Sequence, residues 1–98
     1  MIALIVKFKS RLSYEEVLKV AEERADRFRA IDGLAQKYYL NYADKDEYGA
    51  VYLWKSEEAL KEFRNSELAA TIAETYGVEG DLVLRVAEVI MPLRAEGK

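Results

Sequence analysis

Residues 33–54 read GLAQKYYLNYADKDEYGAVYLW, and this stretch from Gly33 to Trp54 decides the fold. It holds five of the seven tyrosines and the single tryptophan of the chain. Two tyrosine-rich runs flank the polar insert Asp44-Lys45-Asp46-Glu47, which predicts a β-hairpin with a solvated turn and strands near 34–41 and 48–54. The remaining segments must cover that hairpin or extend its sheet.

Upstream, Ile2 to Phe8 is a short apolar run rich in β-branched residues and reads as a buried strand. Ser13-Tyr14-Glu15-Glu16 forms a capping box, in which the Ser13 hydroxyl accepts from the Glu16 amide while Glu16 reaches back. A helix therefore starts there. Leu18, Ala21, Ala25 and Phe28 follow at spacings of three and four, with Glu22, Glu23, Arg24, Asp26 and Arg27 mostly on the outside. Asp32-Gly33 ends it. Downstream, Ser56-Glu57-Glu58 is a second N-cap signal, and Ala59, Leu60 and Phe63 begin another apolar stripe. Asn65-Ser66 interrupts the stripe, so the sequence predicts one broken helix or two short ones, stopped at Gly77. Asp81 to Met91 reads as the last strand, closed by Pro92, which lacks the amide a ladder needs.

The order β-α-β-β-α-β over residues 1–98 predicts a single ferredoxin-like α+β domain. Its four-stranded antiparallel sheet has order 4-1-3-2, with both helices on one face and the other face open. An open face of this kind exposes too much apolar surface for a monomer and calls for a second sheet, a ligand, or both.

Composition narrows the function. A chain of 98 residues buries only about 60–68% of its unfolded surface, so a partner subunit adds stability. Fifteen basic against eighteen acidic residues leave a net charge of −3, which gives no electrostatic reason for nucleic acid or an anionic membrane as partner. With no cysteine there is no disulfide framework and no thiolate nucleophile, which is compatible with a cytoplasmic location. The apolar start stops at Lys7, too soon for a signal segment or a membrane span. Gly-rich phosphate loops, nucleophile elbows and histidine metal motifs do not occur, and Asp44 to Glu47 lacks the spacing of an oxygen cage.

Strand alternation assigns the faces. In the third strand Gly49, Val51 and Leu53 form a small aliphatic side suited to helices, while Tyr48, Ala50, Tyr52 and Trp54 form a bulky one. Matching polarity then groups Lys7, Lys37, Tyr39, Tyr52, Trp54 and Arg85 on the open face, an assignment that a one-residue bulge would invert. These six are the candidate substrate-binding residues. Trp54 and the tyrosines also serve simply as packing residues. Lys37 is more informative, because a lysine on a buried face needs a carboxylate, a carbonyl or an anionic ligand.

The run Gly33-Leu34, Lys37, Gly49-Ala50-Val51-Tyr52-Leu53-Trp54 and Ser56, followed by an alanine-rich helix, resembles the YdhR-like monooxygenase group. That group lies within the dimeric α+β barrel superfamily, which includes the antibiotic-biosynthesis monooxygenases. The resemblance extends from the first strand to Pro92. It implies a homodimer whose open faces close a barrel and a pocket in each subunit between sheet and helices. It further implies oxidation of a small aromatic or polyketide-like substrate without any cofactor, metal or flavin. Trp54 stands where the superfamily often has an active-site tryptophan, whereas Ala50 stands where the cofactor-free members tend to carry asparagine. A chain without histidine does not suit the haem-degrading members. The second reading is a non-catalytic dimer that binds a small apolar molecule.

An aromatic sheet face in this order also describes the RNA-recognition module. The comparable segment, Asp46 to Leu53, is acidic where that module is basic, has Glu47 in place of glycine, and has Ala50 and Leu53 in place of stacking aromatics. With an acidic isoelectric point near 5.1, RNA binding is set aside.

Overall fold

Strand β1 (Ile2–Ser10) runs at the centre of a four-stranded sheet in the computed structural model, which describes residues 1–43 and 46–94. Helix α1 (Tyr14–Arg29) follows, then β2 (Leu34–Asn41), β3 (Glu47–Trp54), α2 (Glu57–Arg64), α3 (Glu67–Ala70), α4 (Ile72–Thr75) and β4 (Val78–Glu88). The strands lie in the order β2-β3-β1-β4 and every pair is antiparallel. This is the ferredoxin-like arrangement expected from the sequence. Of the polar insert in the hairpin, Asp44 and Lys45 lie outside the described residues, while Asp46 adopts a positive φ of 64° and Glu47 already opens β3.

Local chemistry fixes the helix ends. Both halves of the capping box form, with the Glu16 amide on Ser13 Oγ at 3.2 Å and the Ser13 amide on Glu16 Oε1 at 2.9 Å. Ser56 caps α2 by accepting from the Ala59 amide. Ser66 serves two segments: its hydroxyl donates to the Phe63 carbonyl at the end of α2 and accepts from the Ala69 amide at the start of α3. A further break at Thr71 divides the region into three segments instead of the expected one or two. Gly77, at φ 59°, then reverses the chain directly into β4.

Strand β4 is displaced from its expected range of 81–91 and runs over Val78–Glu88. Gly80 is the reason. With a φ of 75° it sits in a bulge inside the strand, where the β1–β4 pairing jumps from Lys7 opposite Val83 to Lys9 opposite Glu79. The strand thus starts before the glycine.

The larger correction concerns the faces. Across the β1–β3 ladder Leu4 stands opposite Tyr52, Val6 opposite Ala50 and Phe8 opposite Tyr48, and all six are buried with Trp54 under the helices. Phe28 of α1 packs on Tyr52, and Phe63 of α2 packs on both Tyr52 and Trp54. The bulky side of β3 is therefore the helix side. The open side carries Ala3, Ile5 and Lys7 from β1, Gly49, Val51 and Leu53 from β3, Tyr38 from β2, and Val83 and Arg85 from β4. Helices that stand off a sheet leave a deep gap, and only large side chains fill it to interior density. Small flat residues suit a face that another sheet approaches. Gly49 is required on that side because a Cβ there would fall on the Val6 carbonyl oxygen. Among the described residues no helix is long and apolar enough to cross a membrane.

Candidate active site

Lys37 sits in the middle of β2 directly opposite Tyr52 of β3, on the helix side of the sheet. Its Nζ lies 3.4 Å from the ring centre of Phe28, 4.4 Å from that of Tyr39 and 4.5 Å from that of Tyr52. Three elements supply these rings: α1, β2 and β3. Among the described residues no carboxylate comes within ion-pairing distance of the amine. Burial, and secondarily the positive charge of Arg24, draw Lys37 down from its usual value near 10.5 to about 7. The ring faces favour the ammonium form and act in the opposite direction, by roughly 0.5–2 kcal/mol. Desolvation outweighs them.

The amine borders a cavity of about 130 Å³ between α1 and the sheet. Val17 and Ala21 form its roof, Val6, Phe8 and Ala50 its floor, and Tyr48, Tyr52 and Tyr76 line its walls. Tyr14 and Leu18 of α1 and Tyr39 of β2, all about half exposed, mark its mouth. The lining is mostly apolar, with a few phenol hydroxyls and one amine. Tyr76 is buried and its Oη has no hydrogen-bond partner among the described residues. Burial pushes Tyr76 up to about 12 and raises Tyr52 still further, so both phenols stay protonated.

Arg24 ties this region together. It is buried on α1, and its guanidinium donates from Nη2 to the Leu68 carbonyl at 2.7 Å and from Nη1 to Thr71 Oγ1 at 3.2 Å. It therefore pins α1 to α3 and to the break before α4. Sequence reasoning set Arg24 outside the helix stripe and Leu18 inside it, whereas the buried stripe is Val17, Ala21, Arg24 and Phe28. These positions recur at spacings of four, three and four, so the periodicity was present. An arginine simply does not advertise burial.

The six candidates separate into two groups. Lys37, Tyr39 and Tyr52 gather at the cavity. Trp54 is fully buried beneath α2 and stacks on Tyr52 at 5.9 Å with the planes 8° apart, so it supports the wall from behind. Lys7 and Arg85 lie on the open side of the sheet, as their polarity suggested, and it is the other four that turn to the helix side, so the group of six is split. Lys7 there pairs with Glu47 at 3.6 Å and rests over Tyr42. Tyr76 at the cavity wall and Phe28 against the Lys37 amine were not among the six candidates. Among the described residues no cluster of carboxylates suited to a metal ion occurs.

No family model matches the chain, and no curated protein matches it. Solved structures do. SnoaB, a cofactor-independent oxygenase from Streptomyces nogalater, superimposes with a TM-score of 0.76 at 16% identity, covering 96% of this chain and 97% of its own. Rv0793 from Mycobacterium tuberculosis gives 0.76 at 20% identity over 95% and 98% of the two chains. An antibiotic biosynthesis monooxygenase gives 0.72 at 15% identity over 93% and 100%. At such identities the likeness shows the fold alone, the ferredoxin-like α+β arrangement that these structures share with this chain.

Proposed function

We propose that this chain is a cofactor-independent monooxygenase that oxidises a small aromatic or polyketide-like substrate in the cavity beneath α1. The observation that carries this reading is the Lys37 amine, which borders an apolar cavity, is ringed by Phe28, Tyr39 and Tyr52, and titrates at about 7. A group that titrates near the working pH is suited to proton transfer. The neutral amine removes a proton from an acidic phenol or an anthrone-like carbon. The resulting ammonium, held by the rings, then stabilises the enolate.

The electron-rich carbanion reduces dioxygen and combines with it, and the ammonium returns its proton to give a hydroperoxide. Loss of water leaves a carbonyl. One oxygen atom enters the substrate, the other leaves as water, and the oxidation of the substrate carbon to a carbonyl supplies all four electrons. A mostly apolar pocket protects the carbanion from protonation by solvent. The fold shared with SnoaB supports this reading, as does the Gly33-Leu34, Lys37 and Gly49 to Trp54 pattern, which resembles that of the YdhR-like group. The apolar open side of the sheet supports a homodimer.

Ala50 favours the second reading. It is buried in the cavity floor and offers no polar group to a reacting oxygen. Oxygen uptake with a panel of acidic phenols and anthrone-type compounds separates the two. The expected result is uptake of one dioxygen per substrate, reduced about 100-fold or more in Lys37→Met. Tight binding of the same compounds without oxygen uptake replaces the enzyme with a binding protein.

A further inference from the structure

We infer that Lys37 is also an imine-forming lysine, which captures a small aromatic aldehyde in the cavity beneath α1 as a Schiff base. This is a separate activity of the same amine, and it needs no oxygen.

Three geometric observations carry it. Nζ is surrounded by ring faces and, among the described residues, lacks both a carboxylate and a hydrogen-bond acceptor, so nothing ties up its lone pair. Lys37 and Tyr39 line two spaces at once: the cavity of about 130 Å³, and a groove on the outer side formed by Ala25, Phe28, Arg29 and Gln36. A carbonyl compound held in the first meets the amine, and the water expelled leaves through the second. The size of the first space also fits, since a dry cavity of about 150 Å³ accepts benzene.

The charged and titratable groups around the amine are Arg24 and Arg29 from α1, Tyr39 from β2, Tyr52 from β3 and Tyr76 beyond α4. Arg24 opposes a second positive charge, and the phenols remain protonated, with Tyr39 raised by burial. In the reaction the nitrogen lone pair forms a C–N bond to the carbonyl carbon, and a proton passes from nitrogen to oxygen. The carbinolamine then loses its hydroxyl as water when a flanking phenol donates a proton to it, and the phenolate so formed takes back the proton left on nitrogen, leaving C=N. One water is released and nothing is oxidised or reduced. Lysines desolvated in apolar pockets are activated for this chemistry because the free amine is the nucleophile.

The test is to incubate the full chain with benzaldehyde and sodium cyanoborohydride under argon at pH 7, then map the benzylated lysines by peptide mass. The hydride reduces any imine to a stable secondary amine. Labelling at Lys37 is expected to exceed that at any other lysine by at least about tenfold, since surface lysines are almost wholly protonated at that pH. In Lys37→Arg, which keeps the positive charge but forms no imine under these conditions, the preferred adduct disappears. Labelling spread over the surface lysines, with Lys37 no more reactive than they are, overturns the inference. Because the experiment excludes oxygen, its failure leaves the oxygenase reading standing, and a chain that consumes no oxygen still passes or fails this test independently.

Discussion

Lys37 stands directly opposite Tyr52 across the β2–β3 ladder, and its Nζ lies 4.5 Å from the centre of that ring. Two effects meet in this pair. The ring quadrupole holds a cation, while removal from water penalises it, and the second is the larger. The fold therefore carries a lysine that is costly when charged, in a place where a leucine or methionine would pack without cost.

That cost is measurable as a pH dependence of stability. The folded value for Lys37 is lowered to about 7 from about 10.5, so between these limits the unfolded chain binds more protons than the native one. Stability therefore rises with pH across that window, and the penalty is fully present below pH 7. Lys37→Met, which removes the charge and keeps the length, is expected to be more stable than the parent by about 1–3 kcal/mol at pH 6. By pH 10 the gain should have largely vanished. Urea unfolding of both proteins at the two pH values checks this. A gain of equal size at both would show that the amine is not desolvated.

Arg24→Met is expected to have the opposite effect on stability. The change removes the charged donor to the buried Leu68 carbonyl, which keeps the 3.3 Å bond from Thr71 Oγ1, and the bond to Thr71, which costs about 2–4 kcal/mol. It also removes the second cause of the low Lys37 value, so the lysine titrates at higher pH in the variant. A titration of the Lys37 Cε signal by NMR reads this directly. An unchanged midpoint would leave burial as the whole cause and reduce Arg24 to a structural pin.

These two residues also show where the sequence ran out. Element order, the Ser13 and Ser56 caps and the sheet topology were legible because they depend on local spacing and on turn chemistry. The side of the sheet to which Tyr52 and Trp54 point depends on a long-range pairing. Leu4, Val6 and Phe8 were readable as an apolar set, and the ladder places them opposite Tyr52, Ala50 and Tyr48. No local signal joins β1 to β3, since α1 and β2 intervene. Polarity matching then sent amphipathic rings outward, when their length was needed beneath the helices. In β2 the shift between Leu34 and Gln36 puts Leu34 and Lys37, three residues apart, opposite Trp54 and Tyr52, which share a face. Lys37, Tyr39 and Tyr52 share a face because the pairing beyond that shift is regular, but that face is the helix side and not the open one expected. Lys7 and Arg85 were drawn in by charge alone.

Tyr76 offers a third test. Its hydroxyl is buried at the cavity wall without a partner among the described residues, while its backbone carbonyl is held by Ser10 Oγ at 2.6 Å. Tyr76→Phe keeps that bond and the ring. It should leave stability unchanged or raise it by up to about 1 kcal/mol, because an unsatisfied buried group is removed. If the hydroxyl instead serves a substrate, the same variant weakens binding of phenolic compounds and leaves unfolding untouched. Calorimetric titration beside thermal unfolding separates these effects, and a loss of stability above about 1 kcal/mol would mean that the hydroxyl is satisfied in the folded protein.

The open side of the sheet makes the last prediction. Ile5, Val51 and Tyr38 stand in register across three adjacent strands, with Leu53, Ala3 and Val83 beside them. A monomer would leave this apolar side to water, and two copies meeting face to face would remove it from solvent. Sedimentation at low micromolar concentration should therefore give a dimer. Val51→Glu places a carboxylate in the middle of that contact, where ionisation without a partner costs several kcal/mol, so the dimer should weaken by about 100-fold or more. Because Val51 points away from the side that carries Leu4, Tyr52 and Phe63, the variant keeps its helical circular dichroism. A parent chain that sediments as a monomer, or a Val51→Glu chain that dimerises as tightly as the parent, would place the contact elsewhere. The cavity beneath α1 would survive either outcome, since it lies on the other side of the sheet from Val51.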